Sequence, residues 1–262
     1  YKPNVDEAEE SICKFTLPYY LMNLDEWLAF LMASERTQKP FWDNVLQECY
    51  KFYRMFNSKE EDDITQFANY IKWKTWRILS EINNKADSDS TRMTIAKGAI
   101  QKLKEICETV PKDYVSKDVV KDLNNFFETC INLCLIYYGN NNNSLSDALP
   151  KFVKTGNDAR YVTIQLIGGN NAHYESSLSS RNSDSAFVQI DETSAMKTAD
   201  EKLESGEYFD YKFLKTAAEL ILLEEEAKGN QRIREFTSTL MTRLDVFLYN
   251  SECEFMREKE SN

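Results

Sequence analysis

Residues 155–161 hold the most chemically suggestive pattern in the chain. Thr155-Gly156-Asn157-Asp158-Ala159-Arg160-Tyr161 sets an arginine directly before a tyrosine in a segment bordered by apolar residues. A guanidinium fork beside a phenol hydroxyl can hold one phosphate, through bidentate charged bonds from the first and a hydrogen bond from the second. The same arginine can instead pair with an acidic neighbouring helix, and both roles are open at this level. Other chemistries find little support. The single histidine, His173, lies in the polar stretch Asn170–Tyr174 and is expected to be an ordinary surface residue. With one histidine and no C-x-x-C spacing, no metal site is expected. Gly168-Gly169 lacks the G-x-x-x-x-G-K frame of a phosphate loop and the strand that should precede it. No serine or cysteine nucleophile is matched to a base, so neither an enzyme nor a cofactor is expected.

The elements that must position these residues follow from composition and periodicity. The chain has 262 residues, 32 Lys+Arg against 43 Asp+Glu, a net charge of −11 and a pI near 4.8. It contains only 7 Gly and 5 Pro, together roughly 5% where about 12% is usual. Sandwiches, propellers and doubly wound sheets need those residues far more often at their turns. Long helices joined by polar loops are therefore expected. The acidic balance argues against nucleic-acid binding, because phosphate-backbone affinity comes from clustered Lys and Arg. The longest apolar runs, such as Leu133-Cys134-Leu135-Ile136, are far short of the roughly 18 residues a membrane helix requires, so no membrane partner is expected. Tyr1–Glu7 has neither a basic n-region nor an apolar h-region. With Cys13, Cys49, Cys107, Cys130, Cys134 and Cys253 read as reduced, buried or incidental thiols, a cytoplasmic protein is expected.

Apolar spacing predicts helices over about 19–34, from Pro40 through Phe56, from the acidic cluster at 60–63 to Asn83-Asn84, over 95–111, 119–138, 152–167, 213–226 and 232–248. The stretch from Gly168 to Ser194 is dense in Gly, Asn, Ser and Asp and is expected to be a polar loop with at most short helical pieces. The fold class expected is all-α, one domain of about nine antiparallel helices.

Four segments in order resemble a divergent 14-3-3 protein. That family's fifth helix carries K-G-D-Y-Y-R-Y, matched here at Gly156, Arg160 and Tyr161. Its third helix carries S-W-R-V-V-S-S-I-E, similar to Thr75-Trp76-Arg77-Ile78-Leu79-Ser80-Glu81-Ile82-Asn83. Its R-Y-D-D-M opening resembles the stretch Asn23–Met32 in character, and its D-S-T-L-I-M-Q-L-L resembles Thr237-Ser238-Thr239-Leu240-Met241-Thr242-Arg243-Leu244. The likeness spans nearly all of 1–262, with an apparent insertion near 85–117 and a polar loop near 168–194. The family's L-N-F-S-V-F-Y-Y-E segment has no clear counterpart, and its sixth and seventh helices are not placed between Gly168 and Tyr208.

The resemblance implies an adaptor that binds phosphoserine or phosphothreonine segments, usually as a homodimer. Its phosphate pocket would use Arg160 and Tyr161 with a basic pair from the third helix. That pair falls on Gln66 and Trp73, so both cations are lost and the pocket is modified. Lys72 and Lys74 flank Trp73, each about 100° around the helix, and with Arg77 are the nearest substitutes. A hydrogen bond to a charged group is worth about 1.5–3 kcal/mol, so each lost cation weakens phosphate binding roughly 10- to 150-fold. The family's ligand-backbone asparagine in the last helix maps to Asp245 or, without a gap, to Leu248. Arg181 stands two residues before Ser183 and four before Ser185, a spacing similar to that of family ligands. Phosphorylation at either serine would make this loop a built-in inhibitor; otherwise it is a plain polar loop. Homodimer contacts would come from the N-terminal helices, with Leu21, Leu24, Trp27, Leu28 and the segment after Pro40 as candidates, although intramolecular core is their other role. The alternative function is a helical scaffold that binds partners without reading phosphate.

Overall fold

The computed structural model describes residues 17–57, 63–85, 89–138, 151–154, 161–165, 189–204 and 206–257. Nine α-helices occur among these residues. They are α1 (Leu24–Phe30), α2 (Lys39–Asn57), α3 (Asp63–Lys85), α4 (Asp89–Glu108), α5 (Lys117–Tyr138), α6 (Glu192–Asp200), α7 (Leu214–Ala227), α8 (Ile233–Tyr249) and α9 (Glu254–Arg257). The chain is helical in the main, as its scarcity of glycine and proline predicts.

The segment expected as a helix over 152–167 is different. Here β1 (Lys151–Lys154) and β2 (Tyr161–Gln165) pair antiparallel, and β2 pairs antiparallel with β3 (Gln189–Asp191). The physical reason is local. Val162-Thr163-Ile164 is a β-branched run, stiff at χ1 and better suited to a pleated surface than to a helix turn. The first helix is also shorter than expected. A 3-10 turn covers Tyr19–Leu21, and α1 starts afresh behind Asn23. Asn23 accepts from the Glu26 backbone N–H at 3.0 Å, while Glu26 accepts from that of Asn23 at 2.8 Å. This reciprocal capping satisfies two donors that a helix start leaves open. The helix ends at Phe30, and Met32 takes a left-handed φ of 47°, which a long side chain adopts only at a cost.

Backbone contacts divide the chain into two compact units. One contains the residues up to Arg54, Lys202–Leu222 and the chain from Gln231 onward; the other contains Met55–Glu201 and Leu223–Asn230. The core of the first is aromatic. Trp27, Trp42, Tyr19, Phe209, Phe213 and Phe247 are fully buried, with Trp27 lying 5.4 Å from both Trp42 and Phe247. Polar clamps close its edges. Gln38 donates to the Phe236 carbonyl at 2.6 Å, Arg243 donates to the carbonyls of Leu31 and Met32, and Arg257 donates to those of Phe247 and Leu248. The two arginines thereby bond carbonyls that α1 and α8 leave open at their C-termini.

In the second unit, α3 packs on α4, α5, α6 and β3, and α4 packs on α5. Phe67, Ile71, Ile100, Leu103 and Phe127 form its buried stripe. Asn69 of α3 meets the backbone of Asp191 twice, donating to its carbonyl at 2.9 Å and accepting from its N–H at 2.7 Å. Asp191 in turn caps α6 by accepting from the Ser194 N–H at 2.9 Å. One asparagine thus fixes β3 and the start of α6 against α3. Asn69→Ala is expected to cost about 1–3 kcal/mol, because it removes two hydrogen bonds in a part-buried place. Urea denaturation checks the cost, and hydrogen exchange at the Asp191 amide should accelerate selectively.

A second prediction concerns Cys107 on α4. The residue is half-buried, and the protein packed around its thiol, and secondarily Glu108, push the pKa from an ordinary 9.0 up to about 12. The unfolded chain loses this proton first. The thiol's contribution to stability is therefore intact below about pH 9 and lost as pH rises from there towards 12. Cys107→Ala should flatten this part of the stability profile, measured by urea midpoints between pH 8 and pH 11. Equal slopes for both proteins would contradict the assignment.

Candidate functional site

The described cations of the expected phosphate pocket all lie on α3, whose positions 72–77 face three different surroundings. Trp73 is buried at 4% exposure and stacks on Tyr70, with centroids 5.8 Å apart and planes 28° from parallel. Among the described residues its indole Nε1–H has no hydrogen-bond partner. On one side of it Lys72 turns to α5, where its ammonium meets Asp122 at 2.7 Å and lies 5.9 Å from the Phe126 ring. On the other side Lys74 meets Glu224 of α7 at 2.7 Å and lies 5.3 Å from the Tyr70 ring. These divergent directions follow from the helix period, which separates the two lysines by about 200°.

The two ion pairs differ in kind. Lys72 and Asp122 have side-chain exposures of 14% and 53%, so water and salt screen the pair. Lys74 and Glu224 are at 9% and 19%, largely removed from water. Releasing Lys74 towards a ligand would leave Glu224 part-buried without this partner, an expensive exchange. Releasing Lys72 costs much less.

Arg77 is the exception among these cations. It is exposed and its guanidinium lies 5.1 Å from the Trp73 ring centroid. Among the described residues no carboxylate pairs with it. A cation over an indole face is held without using its N–H donors, so the fork is available for a planar or tetrahedral oxyanion.

The remaining expected site residues do not join this cluster. Tyr161 opens β2 opposite Asp191; its place on a helix beside Arg160 is corrected to the start of a strand. Arg160, Ser183 and Ser185 lie outside the described residues, as does His173. Asp245 belongs to α8 in the other unit, where it accepts from Lys215 at 2.5 Å. Of the candidate dimer residues, Trp27 and Leu28 are buried at 0% and 3% within their own chain, while Leu21 is 54% exposed. The first two therefore serve the core. Gln66 is half-buried on α3. Sequence reasoning missed Glu224 and Asp122 as partners of the lysines. They stand about 150 and 50 residues away, and no local spacing reports such pairings.

Among the described residues, no helix is long and apolar enough to cross a membrane, and no group of three or more His, Cys, Asp or Glu side chains is placed to hold a metal ion.

The contrast between the two ion pairs predicts a contrast in stability. Glu224→Gln should cost about 3 kcal/mol, because it removes a carboxylate from a largely buried ammonium. Asp122→Asn should cost no more than about 1 kcal/mol. Denaturation of both variants at low and high salt checks the difference, and equal costs would contradict it.

Compared with known proteins, the chain matches no family model, no curated protein and no solved structure.

Proposed function

We propose that this protein is a non-enzymatic, cytoplasmic adaptor of the 14-3-3 kind that takes up phosphoserine or phosphothreonine segments through a modified pocket. The observation that carries the proposal is Arg77, an exposed guanidinium poised over the Trp73 indole with no carboxylate partner among the described residues. The resemblance expects a cation at position 73. Here an aromatic ring stands at that position and supports a cation one helical turn further on. Lys72, whose partner among the described residues is a half-exposed carboxylate, is released at lower cost than Lys74, and it stands about 140° around the helix from Arg77. Arg160, from the best-matched motif, completes the proposed set. Under this reading the protein works as a homodimer, and partners are phosphorylated segments of other proteins.

A second reading has its own observation. Lys72 and Lys74 are both neutralised by acids of the same chain, Asp122 and Glu224. A scaffold that binds partners without reading phosphate requires no free cation and accommodates those pairs directly.

Fluorescence anisotropy with Arg-x-x-phosphoserine peptides and their unphosphorylated twins separates the two. The adaptor reading expects phosphate-dependent binding that Arg77→Ala weakens roughly 10- to 150-fold, the loss of about 1.5–3 kcal/mol for charged hydrogen bonds. Since Arg77 is exposed, the unfolding midpoint should stay close to that of the unmodified protein. Equal affinity for both peptide forms would reject the adaptor reading in favour of the scaffold.

A further inference from the structure

The first unit contains a cavity of about 180 Å³ that none of the phosphate-site residues touches. Its lining includes the aromatic residues Tyr20, Trp27 and Phe209 and the polar residues Asp43, Gln47 and Glu204. The volume exceeds that of engineered cavities of about 150 Å³ that accept benzene. An apolar body of one ring or a short aliphatic stem therefore fits.

Three features set the chemistry of the occupant. First, Asp43 and Glu204 are exposed carboxylates with no ion-pair partner among the described residues. Lys39, one turn before Asp43, is taken by Asp25 at 2.6 Å. Second, the amide oxygen of Gln47 is already engaged, accepting from the Leu203 N–H at 2.7 Å, so it ties two lining segments together. Third, Trp27 is fully buried and lines the cavity, so its indole supplies an aromatic ring that attracts positive charge. Two unpaired carboxylates beside aromatic rings match a cation carried on an apolar stem, because rings and carboxylates both attract positive charge. A net charge of −11 adds a favourable long-range field.

We infer that this cavity is a binding site for an organic cation, an ammonium or guanidinium on an apolar body, supplied either by a free small molecule or by a lysine or arginine side chain of a peptide. The site is independent of the phosphate reading, since it lies in the other unit and uses none of its residues.

The test follows the Trp27 indole N–H resonance of the ¹⁵N-labelled full chain. The probes are phenethylammonium and the capped tripeptide Gly-Arg-Gly, with phenylpropanol and capped Gly-Leu-Gly as neutral comparators. A saturable shift with either cation, absent with its neutral comparator, is expected. The double variant Asp43→Asn with Glu204→Gln should weaken it about tenfold or more. Both side chains are exposed, so the fold is not at stake. A response to phenethylammonium alone assigns the site to free organic cations, and a response to the tripeptide assigns it to peptide side chains. The inference is overturned if neither cation moves the resonance at millimolar concentration. It is equally overturned if the neutral comparators act alike, or if the double variant binds as the unmodified protein does.

Discussion

Lys74 is held almost out of water on α3, and Glu224 of α7 meets its ammonium at 2.7 Å. A charge in that position cannot be withdrawn from its partner cheaply, and the rest of α3 is arranged around this commitment. Lys74 goes to Glu224, Asn69 holds β3 and α6 through Asp191, and Lys72 reaches Asp122 of α5. What remains open to a ligand is Arg77, carried outward on the face of Trp73. The functional proposal thus depends on a constraint of folding. Lys72 and Lys74, which tie α3 to acids elsewhere in the chain, are not free to read phosphate, and Arg77, which has no such pair among the described residues, is assigned to it.

Helical content was legible in the sequence because it rests on local quantities. The shortage of glycine and proline and the i, i+4 and i, i+7 spacings of residues such as Phe67, Ile71 and Ile78 suffice to predict α3. The error over 152–167 is equally local. Phe152, Val153, Ile164 and Ile167 satisfy a helical period, but Val162-Thr163-Ile164 satisfies strand propensity better, and pairing with β3 favours the strand. That pairing partner lies more than twenty residues further on, in a region whose composition reads as loop. The capping of α6 by Asp191 carried a sequence signal, an aspartate before Glu192-Thr193-Ser194, which the surrounding polar residues obscured.

The candidate site was legible in residue type and much less in partnership. Lys72, Lys74 and Arg77 could be named as the basic residues near Trp73, and the helix period placed the lysines on opposite sides of it. Which of them would be neutralised depended on Asp122 and Glu224, and contacts between distant acids and bases leave no periodic trace. The cavity lined by Trp27, Asp43 and Glu204 was invisible for the same reason, since it draws on segments some 160 residues apart. Aromatic residues from the N-terminal segment were expected either in the core or at a dimer surface. The burial of Trp27 against Trp42 and Phe247 assigns that residue to the core.

The most direct measurement is a titration that watches the Arg77 side-chain Nε–H resonance in the ¹⁵N spectrum. With an Arg-x-x-phosphoserine peptide, the account predicts a saturable downfield shift as the guanidinium bonds the phosphate, and no such shift with the unphosphorylated twin. If the phosphopeptide binds while this resonance stays still, or if both peptides move it alike, Arg77 does not read phosphate and the central claim fails.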